Sequence, residues 1–71
     1  MSWTQNVYSS MVSEVAYDSD TNELIVTWAK SGKRSAYSGV PEDLAREVAN
    51  APSVGTIINS DVKGVYPHRY I

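Results

Sequence analysis

The spacing of apolar residues changes at Pro41, and this change constrains the fold more than any other feature of the sequence. Before Pro41, apolar and polar residues alternate in short segments, which is typical of strands that bury one face. After it, apolar residues recur at intervals of three and four, at Leu44, Ala45, Val48 and Ala51. Strands followed by helices predict an α+β domain, with the helices on one face of a small antiparallel sheet.

Three strands are predicted before this proline, over residues 11–17, 23–28 and 33–40. The polar run 18–22 between the first two fits a hairpin turn, because its side chains can hydrogen-bond to the local backbone. Gly32 fits the next turn, because glycine adopts a positive φ without strain. The three strands are therefore expected to form an antiparallel meander.

The sequence after the proline predicts two short helices and a further strand. Glu42 and Asp43 lie in the first turn of the first helix, where the helix dipole favours anions. Ser53 fits the cap of a second, shorter helix, and Gly64 fits the position after its end. Residues 65–71 are predicted to be extended and to pair with the sheet. The complete order is β-β-β-α-α-β.

A chain of 71 residues has room for one hydrophobic core. We predict a single domain over residues 9–71 and a flexible N-terminal arm over residues 1–8, which show no clear period. Trp3 and Tyr8 of this arm are expected to fold back onto the domain, and contact with a partner is the alternative. We expect a monomer or a weak homodimer, since dimerisation is one route to stability for a small domain.

Composition excludes several classes of protein. With no cysteine, the chain has no disulfide framework, thiolate zinc site or cysteine nucleophile. Uninterrupted apolar runs reach only two or three residues, which excludes a membrane-spanning segment. The N-terminal residues lack the basic and apolar regions of a secretory signal. We therefore expect a cytoplasmic protein without membrane contacts.

Motifs for catalysis and metal binding are weak. The Asp-x-Asp-x-Asn spacing over residues 18–22 resembles the start of a calcium loop, but the positions that need Gly and Glu hold Glu23 and Ala29. His68 is the one histidine, and nothing in the sequence places a carboxylate or nucleophile beside it. The four glycines are scattered, so no phosphate cradle is predicted. We expect no enzyme activity, cofactor or metal; a small hydrolase that depends on His68 ranks last.

Charges are distributed unevenly along the chain. Residues 1–29 contain four acids and no base, whereas bases concentrate in residues 30–34 and 62–71. If the last strand joins the sheet near the second turn, these bases, His68 and several tyrosines form one patch. The predicted binding residues are Lys30, Lys33, Arg34, Tyr37, Lys63, His68, Arg69 and Tyr70. The alternative is a solvated turn and an exposed tail.

A series of short motifs runs in order through residues 9–71. They are Ser9-Ser10, Tyr17-Asp18, the strand 24–28, Gly32, Tyr37, Val40-Pro41, Ala51-Pro52-Ser53-Val54-Gly55, Asn59 and Tyr66-Pro67-His68-Arg69. In this order the chain resembles the KTSC domain family, named after the C-terminal region of a lysyl-tRNA synthetase. The resemblance implies a compact α+β module of small bacterial and phage proteins, and no catalytic residue common to the family.

The chain departs from the pattern of that family in three places. Ser35 replaces a frequent aromatic of the third strand, Ile57-Ile58 replaces an aromatic-containing pair, and Lys33-Arg34 makes the second turn more basic. These departures leave the order of the motifs unchanged.

These observations predict a non-enzymatic interaction module that binds a protein partner. Arginine and tyrosine are preferred residues at protein interfaces. In a phage context we expect the module to bind and modulate a host protein, for example a component of a polymerase or defence complex. The alternative is an RNA- or DNA-binding module that uses the same basic and tyrosine residues. The net charge of −2 and a pI near 5.1 weigh against it, because most nucleic-acid binders carry a basic excess.

Overall fold

Five antiparallel strands form one sheet in the computed structural model, which describes residues 2–71. In chain order the elements are β1 (Ser2–Asn6), β2 (Val12–Asp18), β3 (Glu23–Trp28), β4 (Arg34–Ser38), α1 (Glu42–Asn50), α2 (Val54–Ile57), a π-helical segment (Ile58–Val62) and β5 (His68–Tyr70). Strands are neighbours in the order β1-β2-β3-β4-β5. The predicted α+β class, the meander and the C-terminal strand are confirmed.

The flexible arm predicted over residues 1–8 is wrong for residues 2–6, which form the edge strand β1. This strand pairs with β2 from Ser2 opposite Asp18 to Asn6 opposite Glu14. Trp3 is held there by contacts distant in sequence, since its ring packs beside Tyr17 with 6.0 Å between centroids. Such contacts leave no local pattern, which is why the sequence did not reveal the strand.

Two contacts of Glu42 join β1 to the first helix. The indole Nε1 of Trp3 donates to Glu42 Oε2 at 3.2 Å, and the Arg46 guanidinium donates to the same oxygen at 2.8 Å. Arg46 also lies over the Trp3 ring, 5.4 Å from its centroid. The hydrogen bonds from Arg46 and Trp3 lower the pKa of Glu42. The expected folding back of Trp3 is thus observed, whereas Tyr8 is fully exposed.

The strand register divides the side chains of the sheet between two faces, because directly opposed residues point the same way. On the helix-covered face, one row is Gln5, Val15, Val26, Ser35 and Tyr70, and the next is Trp3, Tyr17, Leu24, Tyr37 and His68. On the open face, the central row is Thr4, Ala16, Ile25, Ala36 and Arg69. The helix-covered face carries the core and the open face carries most strand charges.

The core lies between the helix-covered face and the helices. Val15, Leu24 and Val26 of the sheet are fully buried against Val48 of α1 and Ile58 of the π-helical segment. The buried positions of α1 are Ala45, Val48 and Ala49, so the predicted apolar stripe is confirmed in its centre. No helix among residues 2–71 is long and apolar enough to cross a membrane.

The second helix is shorter than predicted and widens into the π-helical segment. Val54, Ile58 and Val62 are buried, and Gly64 has a φ of 83°, which suits the predicted position after the helix. Gly55 lies against Met11: a Cβ placed on Gly55 would approach Met11 Sδ to 2.8 Å. The missing side chain of Gly55 therefore leaves the space that Met11 occupies.

Candidate functional site

Pairing of β5 with β4 brings part of the predicted basic patch together. Tyr70 of β5 lies opposite Ser35 of β4, close to the turn that joins β3 to β4. The ammonium of Lys33 lies over the Tyr70 ring, 5.6 Å from its centroid. Lys63, which follows the π-helical segment, approaches from the helix side. Three of the predicted binding residues thus converge at one corner of the helix-covered face.

These side chains line a surface cavity of about 380 Å³, which we call the cationic cleft. It is formed by Trp28, Ser31, Lys33, Lys63 and Tyr70. The salt bridges within residues 2–71 are Arg46–Glu42 and Arg69–Glu23, so neither lysine of the cleft is paired with a carboxylate of the described chain. Two uncompensated ammonium groups beside two aromatic rings fit an anionic ligand.

Trp28 is held in place at the cleft by Ser35. The indole Nε1 donates to Ser35 Oγ at 2.9 Å, and Ser35 is 1% exposed. Ser35, which stands where the family often has an aromatic residue, therefore accepts a hydrogen bond that the half-buried indole would otherwise lack. The strand pattern over residues 23–28 gave no sign that Trp28 forms a wall of the cleft.

Tyr37 and His68 lie beside the cleft and not inside it. Tyr37 is 2% exposed and stacks on His68 with 5.2 Å between ring centroids. His68 in turn meets Tyr70 edge-on at 5.3 Å. Burial, followed by the neighbouring Tyr70, raises the pKa of Tyr37. The prediction that Tyr37 lies on an accessible binding face is wrong, because its ring is covered; the stack instead supports Tyr70.

Arg34 and Arg69 lie on the open face, away from the cationic cleft. The two are on neighbouring strands, and both point away from the row that contains Tyr70. Arg69 Nη1 donates to Glu23 Oε2 at 2.7 Å. The single patch predicted from the sequence is therefore wrong in its geometry: strand alternation divides the bases between the two faces.

Lys30 lines a second, smaller pocket on the other side of the β3–β4 turn. This pocket of about 260 Å³ is formed by Met11, Trp28, Lys30 and Ser31, and we call it the Met11 pocket. Met11 is 44% exposed and forms an accessible, apolar part of the wall. Neither Met11 nor Ser31 carried a signal in the sequence, because each is an ordinary residue next to a turn.

A third cavity, of about 360 Å³, lies between the end of β1 and the end of α1. It is lined by Gln5, Asn6, Val7, Tyr8, Ala49, Asn50, Ala51 and Val54. No charged side chain lines it, and none of the predicted binding residues lies there. Among residues 2–71, no group of three histidine, aspartate or glutamate side chains is arranged to hold a metal ion.

Comparison with known proteins gives the family of the chain. The sequence model of the KTSC domain matches residues 8–66. This chain belongs to the KTSC domain family. A crystal structure of a KTSC domain protein from Yersinia pestis is similar to it, with a TM-score of 0.90 and 30% sequence identity, over 100% of this chain and 99% of that chain. No curated protein matches the chain.

The match includes Trp28, Ser31, Lys33 and Lys63 but stops before Tyr70. It thus covers four of the five lining residues of the cationic cleft, and the C-terminal strand adds the fifth. The resemblance inferred from the short motifs is confirmed.

Proposed function

We propose that this KTSC domain is a non-enzymatic interaction module that binds a protein partner through the cationic cleft. The observation that supports it is the convergence of Lys33 and Lys63, without carboxylate partners in the described chain, beside Trp28 and Tyr70. Binding at such a site gains from charge complementarity and from burial of aromatic surface. In a phage context, a host protein such as a component of a polymerase or defence complex is the partner we propose first.

The neighbours Lys33 and Arg34 provide a matched test. Both residues are bases on the same hairpin, but Lys33 lines the cleft and Arg34 lies on the open face. The test captures proteins from a nuclease-treated lysate of the cells in which the protein occurs naturally. The baits are the tagged wild-type protein and its Lys33→Glu and Arg34→Glu variants. We expect a partner that Arg34→Glu retains and Lys33→Glu loses. Equal capture by all three proteins would contradict the assignment of the cleft.

Nucleic acid is the second candidate, because lysines beside aromatic rings also bind single strands. Two observations favour protein. The Tyr37 ring is buried in its stack with His68 and offers no free face to a base, and the net charge of the chain is −2. A salt titration separates the candidates. If the ligand is nucleic acid, the logarithm of the binding constant should fall linearly with the logarithm of the salt concentration, with a slope of about −0.7 per phosphate contact on single strands.

A further inference from the structure

The cationic cleft and the Met11 pocket share two of their lining residues. Trp28 and Ser31 belong to both, so the half-buried indole and the β3–β4 turn separate one cavity from the other. One side of this wall presents Lys33 and Lys63, and the other presents Met11 together with Lys30. The corner of the domain is therefore a single surface with a cationic half and a half that is mainly apolar, bordered by one further lysine.

We propose that this surface binds a segment of a partner protein that places an apolar side chain within one or two positions of a carboxylate. The inference rests on the proposed function and specifies the ligand of the same site. The carboxylate would pair with the lysines of the cationic cleft, and the apolar side chain would enter the Met11 pocket. Side chains two positions apart in an extended segment point to the same side and lie about 6.6 Å apart, so one segment can place both in two cavities with a common wall.

Charge and flexibility on the two sides support this ligand. Lys33 and Lys63 have no carboxylate partner in residues 2–71, so an incoming carboxylate restores a missing charge pair. Methionine adapts to apolar side chains of different shape, because its unbranched chain has several rotatable bonds. The sulfur of Met11 packs on Gly55, but nearly half of the residue is exposed, so the exposed part of its side chain can adapt in this way. The preference is therefore expected for apolar character and not for one residue.

The test uses a displayed library of random heptapeptides selected against the complete protein, followed by affinity measurement on synthetic peptides. We expect the selected peptides to contain Asp or Glu within two positions of Leu, Ile, Met or Phe. Changing the acid to its amide, or the apolar residue to Ser, should each weaken binding about tenfold or more, the effect typical of a central interface residue.

Variants of the protein assign each half of the peptide to its cavity. Lys33→Glu should abolish binding of every selected peptide, and Arg34→Glu should leave it within about twofold, the small effect expected of a charge outside the interface. Met11→Gln, which keeps the length of the side chain, should weaken only the peptides that retain their apolar residue. Unchanged unfolding midpoints would show that each variant is folded.

The outcomes separate this inference from the function on which it rests. One outcome is that the selected peptides are acidic without an apolar preference, and that Lys33→Glu fails to bind them while Met11→Gln binds them normally. This outcome would overturn the two-part site and leave the proposed function standing. No enriched peptide, or peptides that bind Lys33→Glu as well as wild type, would overturn both. Tighter, cleft-dependent binding of a single-stranded dodecanucleotide than of any peptide would replace the protein partner with nucleic acid.

Discussion

The hydroxyl of Tyr17 connects the sheet to the segment that leads into α1, and its removal is the sharpest test of the fold. Tyr17 is 1% exposed, and its hydroxyl lies 2.6 Å from the Val40 carbonyl oxygen and 3.3 Å from Asn22 Oδ1. Val40 is itself fully buried, and its N–H donates to the Asn22 carbonyl at 3.0 Å. In Tyr17→Phe the Val40 carbonyl therefore loses a partner at a site that water does not easily reach.

An unpaired buried carbonyl costs about 1–3 kcal/mol of folding free energy. A domain of this size has a total stability of roughly 4–10 kcal/mol, so the loss is a large fraction of it. We expect the free energy of unfolding in urea to fall by about 2 kcal/mol, with an unchanged dependence on urea concentration. The thermal midpoint should fall by about 8–16 °C.

Tyr37→Phe is the matched control for this prediction. The Tyr37 ring is as buried as that of Tyr17, but its hydroxyl forms no hydrogen bond with the described residues. Its removal should change the stability by about 0.5 kcal/mol or less. If Tyr17→Phe cost no more than Tyr37→Phe, the proposed connection between the sheet and α1 would be refuted.

Because of the Tyr17 hydroxyl, we also expect the folding stability to be sensitive to alkaline pH. Burial, followed by the carboxylates of Glu42 and Asp18, raises the pKa of Tyr17. The folded state therefore holds this proton more tightly than the unfolded chain. The contribution to stability is complete below the ordinary tyrosine pKa of about 10, and it is lost as the pH rises through the folded value. Tyr17→Phe should reduce the fall in thermal midpoint above about pH 10.

Two further predictions concern the attachment of β1 and the packing of α2. Because hydrogen bonds lower the pKa of Glu42, the contribution of this carboxylate to folding stability is present above the ordinary glutamate pKa and is lost as the pH falls through the folded value. Glu42→Gln should therefore lower the thermal midpoint at neutral pH and make that midpoint less dependent on acid pH. Gly55→Ala should stabilise the Met11→Ala protein by about 1 kcal/mol in urea unfolding, from helix propensity. In wild type this gain should be smaller or reversed by the contact with Met11; equal effects in the two backgrounds would contradict that contact.

Local signals were sufficient to predict most of the fold. Alternation in β3 and the polar turn before it indicated the meander, and the proline with its following acids indicated α1. The edge strand β1 was missed because Trp3 is fixed by Glu42, a residue 39 positions away. The π-helical widening was missed for a similar reason: Ile58 is fully buried in tertiary packing that a helical period alone does not describe.

The site was only partly predictable, because it depends on the register of a strand with a weak pattern. In β4, small or polar residues occupy both faces, so the sequence did not show whether Arg34 or Ser35 points toward the helices. A shift of one residue would exchange the two faces completely. The convergence of Lys33 and Tyr70 was expected from the position of β5, whereas the separation of Arg34 and Arg69 from them follows only from the observed pairing.

The charges that sum to the net value of −2 are distributed unevenly between the two faces of the sheet. Glu14, Asp18 and Glu23 belong to the open face, where Arg69 pairs with Glu23. The unpaired lysines of the cleft lie at one corner of the opposite face. An extended polyanion that continued from the corner onto the open face would meet Glu14, Asp18 and Glu23 as well as the two arginines, whereas a short acidic segment at the corner would meet only the lysines. The distribution of charge therefore favours a ligand with a small footprint, and this agrees with a protein segment bound across Trp28.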